Sequence, residues 1–517
     1  MTGLFRRQAD SLRIVFPVSR HRNPTVIFPM TNIRDLLPSD SPVTRRLTQI
    51  GRTGRDLGIE TYVVGGAVRD LLLGMPVTDL DIMVVGDGIQ FARDLADRLG
   101  KKTVVPFPKF ATARIPDPEL EIEIASARTE TYAADSRKPN RVRYTDVKGD
   151  LSRRDFTINA LAVDLHPLRF GDLHDPWGGI ADLSRKILRT PLDPVLTFSE
   201  DPLRMLRAAY FAAKLDFTPE PNVLAAMQSQ APRISIVSAE RITAELLKIL
   251  STTQPSVGLL ILQKSGLLAR VFPEIDRMVG LQQPKEWHHK DIFFHTLQVV
   301  DNAARLSPET RIRFAALVHD IGKPRTRRID PKKGFTFHGH DEIGARIFEN
   351  VARRMKLSNE LSEYLQKMIR LHLRPIALAK KEVTDSAIRR VMVAAGDDLD
   401  DLMALCRADI TTKNPHLVKR YLGNFDRVEK KMQDVAERDQ LRAFQSPVRG
   451  DVIMRECNME EGRPVGIIKK ALEEAILDGI VENTFDATLA YLRAHKKDLL
   501  KKANLDNSLP AAESNTS

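Results

Sequence analysis

Two stretches of this chain hold residues whose types and spacing could move phosphate. The segment Val64-Gly65-Gly66-Ala67-Val68-Arg69-Asp70 is followed after a gap of eight residues by Asp79-Leu80-Asp81. Paired glycines between a strand and a helix start leave backbone N–H groups bare for phosphate oxygens. Side chains alternate along a strand, so Asp79 and Asp81 share one face while Leu80 turns into the core. Two carboxylates aimed at one point suit a hard divalent cation, naturally Mg²⁺, which can activate an attacking hydroxyl and neutralise a triphosphate leaving group. A third carboxylate is expected from Leu120-Glu121-Ile122-Glu123-Ile124, with Glu123 preferred and Glu121 the alternate.

The second stretch is Arg153-Arg154-Asp155-Phe156-Thr157-Ile158-Asn159-Ala160, in which adjacent arginines and small polar groups could grip a triphosphate and a ribose hydroxyl. Further on, Glu200-Asp201-Pro202-Leu203-Arg204-Met205-Leu206-Arg207 reads as a helix start with its acids in the first turn. On that reading Asp201 and Arg204, three apart, pair an acceptor with a donor on one helical face. Cytosine and adenine present an amino group beside an unprotonated ring nitrogen, and guanine and uracil the opposite pattern. Such a pair would accept C and A without a template.

The elements that must carry these groups follow from periodicity. Strands are expected at Thr61–Val64, Leu80–Val85, Thr103–Pro106, Phe110–Ile115, Leu120–Ala127 and Leu161–Leu165, with helices at Ala67–Leu73 and Ile89–Leu99. Beyond about residue 185 the pattern is helical, with amphipathic stretches at 200–215, 239–250, 256–266, 291–305, 310–320, 341–355, 360–371 and 385–395. Another helix is expected at 465–478, ended by Gly479. The fold class is α+β, an α/β head on an all-α body. Its divisions are a basic extension (1–30), the head (31–185), a helical neck (186–275), a middle domain (276–425), a helical tail (426–505) and a disordered end (506–517).

The ordered set Gly-Gly-x-Val-Arg-Asp, Asp-x-Asp, Arg-Arg-Asp-Phe-Thr-x-Asn-Ala, Asp175-Pro176-Trp177-Gly178-Gly179 and Glu-Asp-Pro-Leu-Arg resembles the class II tRNA nucleotidyltransferase and bacterial poly(A) polymerase family. The likeness runs from about residue 56 to 275, and more weakly to about 495. It implies a polymerase-β-like head, metal held by Asp79 and Asp81, triphosphate contacts from Gly65, Gly66 and Arg154, and base selection by Asp201 and Arg204. Arg69, Asp155, Asn159 and Arg207 complete the nucleotide-binding candidates. Relatives read Arg-x-x-Arg-x-x-Arg along the neck helix, whereas Tyr210 follows Arg204 and Arg207 here. The segment between Arg128 and Arg143, with Tyr132, Arg137, Lys138 and Arg141, is similar to the family's flexible loop for switching from C to A addition.

His295, His319-Asp320, His338, His340, His372 and Asp409 occur in an order that resembles the HD phosphohydrolase superfamily. Imidazoles and carboxylates from separate helices can converge on a divalent metal and activate water against a phosphate ester. His295, His319, Asp320 and Asp409 are the expected ligands, with His340 and His372 lining the site or holding a second ion. Nearby, Lys323 to Lys333 includes Arg325, Arg327, Arg328 and Lys332, a possible track for RNA phosphates.

Composition agrees with this picture and excludes others. The 517 residues are 42% hydrophobic and 28% charged, values of folded globular protein in several domains. No run of eighteen apolar residues could span a membrane. The formal charge of +11 is compatible with a polyanionic partner. Two cysteines, Cys406 and Cys457, cannot build a disulfide framework and suit a reducing cytoplasm. Residues 1–30 carry Arg6, Arg7, Arg13, Arg20 and Arg22 against Asp10 and are expected to be a disordered extension. The activity expected is addition or repair of the 3′ CCA end of tRNA from CTP and ATP, releasing pyrophosphate, with an additional HD phosphohydrolase activity as a further possibility. One alternative is a poly(A) polymerase or A-adding enzyme of the same superfamily. The other is an HD-type metal phosphohydrolase with an RNA-binding head.

Overall fold

The computed structural model describes residues 31–132, 139–282, 291–332, 334–379, 383–412, 414–439 and 446–507. The expectations for residues 1–30, Arg137, Lys138, Lys333 and the last ten residues lie outside these, as do the side chains of Tyr132 and Arg141. The chain divides into two compact units, one of residues up to Arg204 with Phe217–Gln230, the other of Met205–Asp216 with the chain from Ala231 onward.

The first unit is built on a seven-stranded mixed sheet. Its strands are β1 (Thr61–Val64), β2 (Asp79–Val84), β3 (Val105–Phe107), β4 (Thr112–Ile115), β5 (Glu121–Ser126), β8 (Ala162–Asp164) and β9 (Leu173–His174). The intervening β6 (Arg128–Tyr132) and β7 (Pro139–Tyr144) form a separate antiparallel hairpin. The order is β3-β4-β5-β2-β1-β8-β9, and β2 lies parallel to β5 with Asp79 opposite Glu121, Leu80 opposite Ile122 and Asp81 opposite Glu123. Leu80, Ile82, Ile122 and Ile124 are almost wholly buried, so the alternation reads as expected: carboxylates on one face, aliphatic chains in the core.

Helix Gly88–Arg98 covers the sheet with Phe91, Ala92 and Leu95, capped by the Asp87 carboxylate accepting from Ile89 and Gln90. A sixteen-residue helix, Pro42–Leu57, was not foreseen from the pattern. Ser41 caps it, Pro42 sits at its first position and Gly58, in a left-handed conformation, ends it.

In the second unit the helices Ile292–Leu306, Thr310–Val318, His340–Arg354, Asn359–Leu371 and Leu399–Ala408 pack around one apolar core that includes Phe293, Phe314, Phe348 and Leu365. Most expected helices fall within two residues of their observed bounds. The 25-residue helix Pro415–Asp439 was not anticipated. A small core of Val448, Ile453, Ile468, Leu472 and Leu492 joins the C-terminal helices, where helix Arg463–Leu477 stops as Gly479 turns left-handed at φ 72°.

Leu80 anchors the strand that carries both aspartates. Leu80→Ala is expected to cost about 2–5 kcal/mol of stability, read as a lower denaturant midpoint with an unchanged m-value.

Candidate functional site

At the acidic corner of the first unit, Asp79, Asp81, Glu121 and Glu123 all rise from one face of two adjacent strands. Asp79 Oδ1 accepts from the Thr78 hydroxyl at 2.9 Å. Glu121 pairs with Arg114 Nε at 3.1 Å on the neighbouring β4, whereas Glu123, equally exposed, lies in register with Asp81. This favours Glu123 as the third carboxylate.

Gly65 fits the corner because it has no side chain. Its φ of 72° with ψ of −127° strains any other residue, and a Cβ there would come within 2.6 Å of Arg154 Nη1 and 3.5 Å of Asp81 Oδ2. Arg154 therefore lies over the glycine turn beside the Asp81 carboxylate. The helix after the glycines, Gly66–Leu72, is only seven residues long, so its dipole contributes little and the bare backbone matters more.

Asp150, one helix earlier, sets the arginines. Its Oδ1 accepts from Arg153 Nε and Nη2 at 3.0 and 2.8 Å, and its Oδ2 accepts from Arg154 Nη2 at 3.2 Å. Burial opposes ionisation of Asp150, but the Arg154 and Arg153 charges outweigh it and hold its pKa below the usual carboxylate value. The spacing of three and four residues was a signal for this ion pair that sequence reading passed over. Arg69, Asn159 and Asp155 form a buried chain: Arg69 grips Asp70 through Nε and Nη2 and donates Nη1 to Asn159 Oδ1 at 2.7 Å, while Asn159 donates to Asp155 Oδ1 at 3.0 Å. These three were expected to touch nucleotide. In the structure they tie the glycine turn to the Arg153–Asn159 segment.

The expected helical face of Asp201 and Arg204 is corrected. Glu200 ends the preceding helix, Pro194–Glu200, and Asp201 is extended, at φ −133° and ψ 98°, before a helix that starts at Leu203. Proline disfavours the α conformation in the residue before it, which is Asp201. Asp201 Oδ1 accepts from Leu203 N at 3.1 Å. Arg204, nearly buried, donates Nη1 to Thr197 O and Nη2 to Arg153 O, at 3.2 and 2.6 Å. Arg207 lies a turn later on the same helix, with its guanidinium 5.3 Å from the Phe211 ring centre.

In the second unit all six expected HD residues converge. His295 Nε2 lies 3.0 Å from Asp409 Oδ1, and His319 Nε2 lies 3.6 Å from the same oxygen. Asp320 reaches both sides of the cluster: Oδ2 is 3.2 Å from His319 Nε2, and Oδ1 is 3.3 Å from His340 Nε2. His295, His319 and Asp409 make one possible ligand triplet, and Asp320, His340 and His372 another. Most of these residues stand at helix ends: His319, His372 and Asp409 close theirs and His340 opens one. His338 is exposed and outside the cluster.

The outer nitrogens explain the inward ones. Nδ1 of His319, His340 and His372 each meets a backbone carbonyl, of Ala316, Phe337 and Ile369, at 2.7–2.8 Å. A carbonyl only accepts, so each Nδ1 carries the proton and each Nε2 lone pair points inward. The His340 and His372 Nε2 atoms are 3.3 Å apart, two lone pairs facing each other. His319 Nε2 is buried with no hydrogen-bond partner. Both features fit a cation, which would take up the inward lone pairs of the triplet that holds it.

The charges point the same way. Burial pushes His372 down to about 4, so its imidazole is neutral at physiological pH. Burial disfavours ionisation of Asp320, yet His319 and Lys323 hold its pKa well below the usual range. Lys323, not singled out from sequence, lies 2.5 Å from Asp320 Oδ2. Arg325, Arg327, Arg328 and Lys332 are exposed around the hairpin of β10 (Arg328–Asp330) and β11 (Gly334–Thr336), with Arg327 stacked 4.0 Å from the Phe335 ring.

Comparison with known proteins matches both clusters. Residues 61–189 match the family "Poly A polymerase head domain", 216–279 match "Probable RNA and SrmB- binding site of polymerase A", and 292–413 match "HD domain". A multifunctional CCA protein of Vibrio vulnificus is 36% identical over 364 residues, covering 68% of this chain and 85% of that protein. The chain belongs to that nucleotidyltransferase family. The fold is likewise that of a Bacillus stearothermophilus CCA-adding enzyme in complex with CTP, at 22% identity and a TM-score of 0.64, over 89% of this chain and 99% of that one. A Thermotoga maritima CCA-adding enzyme complexed with tRNA_CCA aligns at 22% identity and 0.56, over 92% and 99%.

The HD cluster carries a direct test. Purified protein stripped with chelator and titrated with Mn²⁺ or Co²⁺ is expected to regain tight binding, and His319→Ala to weaken it by at least about ten-fold. Calorimetry reads the affinity, and circular dichroism checks that the variant is folded.

Proposed function

We propose that this chain adds or repairs the 3′ CCA end of tRNA, using CTP and ATP and releasing pyrophosphate, and that it works in the cytoplasm. The observation that carries the reading is the placement of Asp79 and Asp81 on one strand face, beside a glycine turn crossed by Arg154. Mg²⁺ held by Asp79 and Asp81, with Glu123 beside them, would supply charge stabilisation for phosphoryl transfer. Gly65 and Gly66 admit the triphosphate close to the backbone, and Arg154 pairs with its oxygens. The Arg69–Asn159–Asp155 chain keeps that turn in place. The 3′ hydroxyl of the acceptor attacks the α-phosphorus and pyrophosphate departs, so correct placement of the two reactants supplies much of the rate.

Base choice is assigned to Asp201 and Arg204, an acceptor and a donor that match the shared edge of cytosine and adenine. Arg204 is also bonded to the carbonyl of Arg153, the residue just before Arg154, which ties the base-reading pair to the segment that carries the phosphate-facing arginine. Relatives with bound CTP and tRNA support CTP and tRNA as partners here, and ATP follows from the pairing-edge chemistry. For this chain no described helix is long and apolar enough to cross a membrane. A second activity, hydrolysis of a phosphate ester at the HD cluster, is favoured by the inward-facing Nε2 atoms of His319, His340 and His372.

A tRNA lacking its last three nucleotides, incubated with CTP, ATP or both, separates the readings. The wild type is expected to add CC with CTP alone and to complete CCA with both. Asp79→Ala with Asp81→Ala is expected to lose at least about 10²–10³ in rate, whereas His319→Ala keeps addition within about two-fold. Long A tails on any RNA would indicate a poly(A) polymerase, and addition surviving the double aspartate change would remove the head from the chemistry.

A further inference from the structure

The helix Leu203–Leu215 is largely buried, and the residues it leaves part-accessible are Arg207, Tyr210, Lys214 and the terminal Leu215. From Leu203 to Ala213 only Arg207 and Tyr210 are more than slightly accessible, and Lys214 continues the same stripe one turn later. Positions separated by three and four residues stack along one helical face, so these three form a row about 10 Å long of cation, aromatic ring and cation. The Lys214 ammonium stands 6.0 Å from the centre of the Tyr210 ring, and the Tyr210 and Phe211 rings are 5.1 Å apart and tilted by 47°. A phenol ring flanked by two cations serves a polyanion with flat bases: the ring accepts a base by stacking and the cations neutralise phosphates.

We propose that Arg207, Tyr210 and Lys214 form a docking stripe for the unpaired 3′ end of the RNA acceptor, with Tyr210 stacking on one base and Arg207 and Lys214 pairing with phosphates. This rests on the acceptor being RNA, as in the proposed function, and extends it by assigning positioning residues for the acceptor strand. The stripe is sequence-tolerant, because every base offers a π-face.

The test is equilibrium binding, which does not depend on turnover. Fluorescence anisotropy with a labelled tRNA ending in a single-stranded 3′ extension, and with the same tRNA trimmed to a blunt acceptor stem, is measured for wild type, Tyr210→Phe, Tyr210→Ala and Lys214→Gln across a salt series. Tyr210→Ala is expected to weaken binding about ten-fold on the extended RNA and hardly at all on the blunt one, while Tyr210→Phe stays within two-fold of wild type. Lys214→Gln should reduce the slope of log affinity against log salt by about 0.7, the loss of one single-strand phosphate contact. Should Tyr210→Ala unfold, the Lys214→Gln slope decides alone. Equal affinity in all variants, equal losses on extended and blunt RNA, or a loss in Tyr210→Phe matching Tyr210→Ala would overturn the stripe, the last pointing to the hydroxyl as a structural bond. A wild type that binds extended RNA with these dependences but adds no nucleotide would sink the proposed function and leave the stripe standing.

Discussion

The parallel pairing of β2 with β5 places four carboxylates, those of Asp79, Asp81, Glu121 and Glu123, on a single face. Strands lie about 4.8 Å apart, so these charges repel one another at a range where a surface pair costs a few kcal/mol. Arg114 relieves Glu121 and Arg154 stands near Asp81. A divalent cation is the natural remedy, and on the function proposed here the rest of the head would bring a triphosphate to it. Leu80 holds the strand from below, Gly65 keeps side-chain bulk out, and Asp150 holds Arg154 beside the glycine turn.

The HD cluster answers the same electrostatic demand with different means. Its groups are largely buried, so the ligands are oriented by hydrogen bonds rather than by strand alternation. Backbone carbonyls of Ala316, Phe337 and Ile369 take the Nδ1 protons and leave the Nε2 atoms facing inward. Helix ends are well suited to this, because the carbonyls of the last turn are available to accept. Asp320 touches both triplets and ties the two halves of the cluster together.

Much of this was legible in the residue order. Period-two alternation at Asp79-Leu80-Asp81 and Glu121-Ile122-Glu123 was enough to place the carboxylates, and the six HD residues came together as read. What was missed depended on neighbours distant in sequence or on a local competition. Asp201 left the helix because Pro202 follows it, although its spacing from Arg204 suggested a shared face. The bonding of Arg69, Asn159 and Asp155 to one another across ninety residues has no local signature. The helix Pro42–Leu57 carries only a narrow apolar stripe among many polar residues, so its periodicity was easy to pass over.

The central claim is that the acidic corner of the head binds a catalytic cation beside a nucleotide. Crystals soaked with Mn²⁺ and a non-hydrolysable CTP analogue, with data collected at the manganese edge, test it most directly. The account predicts an anomalous peak in coordinating range of both the Asp79 and Asp81 carboxylates, with the analogue's phosphates lying over Gly65 and beside Arg154. Nucleotide bound elsewhere, or manganese at the HD cluster with none at this corner, would contradict it.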